Sequence, residues 1–155
     1  MRTSTFSVFA LLFIAAAPAP EDPVADELKK LQGTWIMESC VFNGMDLLKD
    51  SKELKTEFII EKKSYRIAMD GKLCGTFTID PSKSPKTVDR TDGEEGDDKG
   101  KVYLGIYELD GDRLKLCSSL SEKIRPKEFT GDQADEPTGD DSGKARELIV
   151  FKRKK

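Results

Sequence analysis

The chain has 155 residues, a net charge of −3 with acids and bases mixed along most of its length, and no histidine. That balance excludes the basic stripe with interleaved aromatics expected of a nucleic-acid binder. Without histidine there is no Ser–His or Cys–His pair, and with no Cys-x-x-Cys either, a zinc site of the usual ligands is not expected.

Residues 1–20, "MRTSTFSVFALLFIAAAPAP", read as a secretory signal peptide. Arg2 and the amino terminus precede an apolar run from Phe6 to Ala17 that is shorter than the ~20 residues needed to span a bilayer, and small residues follow. The Ala-x-Ala sites ending at Ala17 and Ala19 are each followed by proline, so the cleavage point stays open. The expectation is an exported protein, periplasmic or extracellular, with no stable membrane span after signal removal. Residues 21–155 then form a single domain.

In "EDPVADELKKLQ", Asp22 suits an N-cap and Pro23 the first helical position, with Val24, Leu28 and Leu31 on one face of a short helix that Gly33 ends. From Thr34 the pattern turns to strand. "TWIMESCVF" holds the only tryptophan, Trp35, and runs to an Asn43-Gly44 turn. "MDLLKDSKEL" follows as a loop or a single helical turn capped by Asp46. Strands are then expected at 56–62, 64–69, 72–80, 86–91, 101–109, 112–119 and 146–153. Tight turns fall at Asp70-Gly71 and Asp110-Gly111-Asp112, and "RPKEFT" (125–130) is a further candidate strand. About eight short strands joined in order suit an all-β, up-and-down antiparallel barrel, in which closure removes exposed edges.

Alternation assigns Phe58, Ile60, Tyr65, Ile67, Leu73, Phe77, Ile79, Leu104, Ile106, Leu114 and Leu116 to the inner face, with Glu57, Glu61, Arg66, Lys72, Arg113 and Lys115 in water. The first strand is mixed on both faces and the last, with "LIVF", apolar on both, so pattern alone orients neither. Two acidic loops, "DRTDGEEGDDKG" and "GDQADEPTGDDSG", lack the alternating acids and closing glutamate of an EF-hand, and no calcium site is expected in them. The three cysteines, Cys40, Cys74 and Cys117, permit at most one internal disulfide; buried thiols and one disulfide both remain open.

"ELKKLQGTW", "IDPSKSPKTVD", "GKVYLGIYELDGDRLKLC" and "RPKEF", in this order and spacing, resemble a family of small uncharacterised domains abundant in planctomycete bacteria, and "ELIVFKR" resembles its closing strand. The resemblance covers most of residues 26–129. It implies a lipocalin-like β-barrel, commonly exported, with no established biochemical activity. The chain departs from the family pattern in a more acidic loop after Thr91 and a longer stretch from Gly131 to Gly143, both at loop tips where insertions are tolerated. Gly33 and Trp35 also resemble the Gly-x-Trp signature of lipocalins, where a helix leads into the first strand and the indole seals one barrel end. By that resemblance Arg153, or Lys152 if the register differs by one, stacks on Trp35.

No nucleophile, base or metal set stands out, so the sequence does not read as an enzyme, and no cofactor is implied. Cys117, two residues from Lys115, reads as a strand cysteine without a chemical task. Two readings remain. In one, the barrel binds a small apolar molecule lined by Phe58, Tyr65, Ile67, Phe77 and Ile106, with the loop from Asn43 to Lys55 partly covering the mouth. In the other, a filled core makes the domain a structural or protein-interaction module of the cell envelope. In both the protein is expected to be a monomer.

Overall fold

A computed structural model describes residues 22–49, 56–68, 71–93, 99–119, 124–132 and 145–155. The leader-like segment, residues 94–98 of the first acidic loop and residues 133–143 of the second lie outside the described residues, as do residues 50–55 of the loop assigned to the mouth. Helix α1 spans Pro23–Leu31, and the Asp22 side chain accepts a 3.0 Å hydrogen bond from the Val24 N–H. Gln32 ends the helix, its side chain donating to Leu28 O and tying it to the Lys62 backbone. Gly33 comes one residue later as the first residue of a strand, at φ +115°, a backbone state that L side chains rarely adopt.

The strands are β1 (Gly33–Phe42), β2 (Met45–Asp46), β3 (Glu57–Glu61), β4 (Ser64–Ile67), β5 (Leu73–Asp80), β6 (Lys86–Asp92), β7 (Val102–Asp110), β8 (Arg113–Ser119) and β9 (Arg146–Arg153). All pairings are antiparallel. From β3 to β9 each strand pairs with the next, β1 pairs with β3, and β1 also pairs with β9, which closes the ring. Strand β2 is only a short flap on β1, so eight strands make the barrel. Two-residue hairpins set the register where the sequence supplies positive φ. Asn43 and Gly44, at φ 50° and 79°, join Phe42 to Met45, and Gly111, at φ 53°, helps join Asp110 to Arg113. After β2, the Asp46 carboxylate accepts from Leu48 N–H in a turn, with no helix among the described residues there.

Two expectations are corrected. The segment 125–130 is not a strand. Closure of β8 on β9 and of β9 on β1 leaves no edge for it to pair with, and Pro126 has no N–H to donate. It crosses the outside of the barrel instead. Arg125 Nη1 donates to Gly105 O at 2.5 Å and to Val88 O at 3.2 Å, and its guanidinium pairs with Asp89 at 2.6 Å. Cys117 Sγ meets Thr130 O at 3.2 Å, and Gly131 lies so close to Val41 that a Cβ there would come within 2.6 Å of the valine.

The second correction concerns β7. Leu104 and Ile106 face outward, because Val88 pairs with Gly105 and Leu116 with Tyr107, placing Gly105 and Tyr107 on the inner face. Alternation failed here because "VYLGIYEL" is apolar on both faces. Ile106 is nonetheless only 1% exposed, lying on the outer face crossed by the segment around Arg125. An outward residue is thus as buried as a core one.

Candidate functional site: a closed barrel end and an interior cavity

Trp35 is completely buried at the helix end of the barrel, and its Nε1–H donates to Leu31 O at 2.9 Å. The indole therefore loses no hydrogen bond on burial. Trp35 and Arg153 are register partners on β1 and β9, and the guanidinium carbon sits 4.2 Å from the ring centroid. The same side chain donates from Nη1 to Gln32 O at 2.7 Å and from Nη2 to Lys30 O at 2.5 Å, while Nε pairs with Asp112 at 3.4 Å. Arg153 thus covers the indole and takes up carbonyls at the C-terminal end of α1, where a cation is favoured. A Cβ at Gly33 would lie 3.3 Å from Arg153 Nη1, so the glycine also leaves room for the guanidinium.

A second tie at this end was not legible as a site. Glu27, only 5% exposed, accepts from Lys86 and from Lys30 at 3.4 Å, with the Tyr107 hydroxyl 3.5 Å away. Burial acts to raise the Glu27 carboxyl, but the hydrogen bonds and charges of Lys86 and Lys30 together outweigh it and hold the group below its ordinary value. The available signal was position, since Glu27 borders the stripe of Val24, Leu28 and Leu31.

Above this floor lies a cavity of ≈170 Å³. Leu31, Tyr107, Leu114 and Phe151 bound it toward the helix, and Phe58 meets Phe151 edge to face at 5.5 Å between ring centroids. Of the residues expected to line a pocket, Phe58, Tyr65 and Phe77 are at the cavity wall. Ile67 shares their face through its register with Phe58 but is not at the wall, and Ile106 is on the far side of the sheet.

The wall is apolar apart from a few groups, two of them charged. Arg90 on β6 and Glu147 on β9 meet across the barrel, Nη2 donating to the carboxylate at 3.1 Å. Neither residue is suggested by pattern, since each is one charge among many in the sequence. Tyr65 donates to Asp92 at 3.1 Å, and burial is the main cause raising the Tyr65 and Tyr107 hydroxyls well above the ordinary tyrosine range.

None of the three cysteines is in a disulfide; Cys40 and Cys117 are buried and Cys74 half-buried. Burial, reinforced by Glu147 and Asp46 and opposed by Arg90, pushes the Cys40 thiol up to about 11 from 9.0. A thiol raised in the folded state contributes stability that is complete below the unfolded value and lost as pH rises through the folded one. Unfolding free energy should therefore fall between about pH 9 and 11. Denaturant titrations across that range should show a flatter alkaline flank for Cys40→Val than for the parent chain. Among the described residues no cluster of His, Cys, Asp or Glu could hold a metal ion.

A ring of up-and-down strands with a helix and a tryptophan at one end defines an all-β, lipocalin-like barrel. Comparison of the chain with family models, with curated proteins and with solved structures returned no match. Among the described residues no helix is long and apolar enough to cross a membrane.

Proposed function

We propose that the barrel is a non-enzymatic binding module for a small, compact apolar molecule, carried by an exported bacterial protein. The observation that supports this is the cavity of ≈170 Å³ with a largely apolar wall inside a barrel closed at one end. Pockets for drug-sized ligands run from about 300 to 1,000 Å³, whereas an apolar cavity of about 150 Å³ suits a molecule the size of benzene. The occupant is therefore of single-ring or short-chain size and is not a lipid. Export rests on the leader-like residues 1–20, and the resemblance to exported planctomycete lipocalin-like domains agrees with it.

The modest volume also supports the second reading, an envelope structural or protein-interaction module whose core is essentially filled. Toluene decides between them. On the binding reading it saturates the cavity and shifts the methyl resonances of the lining residues, and Val88→Phe, which places a ring in the same space, abolishes the response. Absence of any saturable shift in the parent protein favours the filled module.

A further inference from the structure

We infer that the Arg90–Glu147 ion pair is a polar crossbar over the open end of the cavity and that it limits the length of the molecule held beneath it. This rests on reading the barrel as a binding module and names what makes that same site selective for compact molecules. Strand direction places the pair away from Trp35. On β6, Lys86 reaches Glu27 of α1 at the closed end, and Arg90 and Asp92 follow on the same face towards the other end. On β9, Arg153 covers Trp35 from the last position of the strand, and Glu147 stands next to the first. Arg90 Nη2 donates to Glu147 at 3.1 Å, from β6 to β9, which are not neighbours in the ring. The Tyr65 hydroxyl donates to Asp92 at 3.1 Å and carries the bridge on to β4. It passes over Gly75 of β5, the register partner of both, where a Cβ would stand 3.0 Å from the hydroxyl.

Below the crossbar the wall is apolar, carried by Phe77, Val88, Leu116 and Ile149 around a volume of ≈170 Å³. At the level of the pair the polarity changes. Arg90 and Glu147 both line the cavity, yet their side chains keep 15% and 24% of their surface in water, so they stand at the boundary between the two. The pair is satisfied within itself and asks nothing of a ligand. An alkyl chain that grows past this level must push between guanidinium and carboxylate, removing their remaining water and parting their charges. The gain from each further methylene therefore ends where the crossbar begins. A ring with a short substituent fits beneath it; a longer tail does not.

Toluene and n-butylbenzene share a ring and differ only in tail length, so calorimetric titration of the folded protein with each tests the inference. In open apolar space each added methylene raises affinity about fourfold. The parent protein should nonetheless bind n-butylbenzene no tighter than toluene. In R90A/E147A, which removes the crossbar, n-butylbenzene should bind about tenfold or more tighter than toluene. R90M/E147M, with apolar side chains that swing aside, should show the same reversal and serves if the alanine pair fails to fold, as judged by far-ultraviolet circular dichroism. A tenfold preference for n-butylbenzene in the parent overturns the crossbar while leaving the binding module standing. A ratio that stays near one in the folded variants overturns the assignment to this pair and puts the limit at another wall. Failure of both hydrocarbons to bind the parent removes the binding module itself.

Discussion

Trp35→Ala is expected to lower the unfolding free energy by about 3 to 5 kcal/mol, at the upper end of large-to-small core changes. Three features of the indole set that size. It is fully buried, so the whole ring is lost from the core and little solvent can enter to relax the gap. It is the platform for Arg153, whose charge would lose its aromatic face. It also donates to Leu31 O, which would be left without that partner at the helix end. Urea titration followed by far-ultraviolet circular dichroism measures the loss. A change below about 1 kcal/mol would mean that the indole is not part of the closed end, because such a value belongs to surface substitutions.

Arg153→Leu should cost about 2 to 4 kcal/mol, the sum of a desolvated cation–π contact and charged hydrogen bonds, reduced because water can replace part of them. The side chain is 26% exposed, so the freed carbonyls of Lys30 and Gln32 are not left dry. Arg153→Lys should recover only a fraction, since an ammonium cannot stack on the indole and fork to two carbonyls at once. A double-mutant cycle with Trp35→Leu separates the stacking from the capping. A coupling of about 0.5 to 2 kcal/mol is expected for the cation–π pair. Additive losses would show that Arg153 acts on α1 alone.

The closed end was legible because its signals are local. Asp22 and Pro23 mark the start of α1, Gly33 marks a backbone state that few residues tolerate, and the single tryptophan follows at once. The hairpins at Asn43-Gly44 and Gly111 were legible for the same reason, as positive φ has a small set of sequence solutions. What escaped depends on distant partners. Glu27 and Lys86 are 59 residues apart, and Arg90 and Glu147 are 57 apart, so neither pair leaves a local trace. Alternation turned strand β7 the wrong way, setting Leu104 and Ile106 inward, because a segment from elsewhere in the chain crosses its outer face, as the contacts of Arg125 with Gly105 and Val88 reveal. Two-faced burial erases the period on which the pattern depends.

Ile106 looks like a lining residue by hydrophobicity and burial, yet it belongs to a second, outer layer that shields Cys117 as well. The inner face of β7 is instead built by Gly105 and Tyr107, and the glycine lies where any side chain would press on the Cys117 carbonyl and the Ser118 hydroxyl.

Methyl-detected NMR of the parent protein titrated with toluene shows whether the interior cavity takes up a small apolar molecule. Saturable shifts are expected at the lining methyls, among them Leu31, Ile60, Ile79, Val88, Leu116 and Ile149, with Ile106 on the outer layer unmoved. Shifts centred on Ile106, or no saturable shift at any of the lining methyls, would show that the cavity does not hold the ligand.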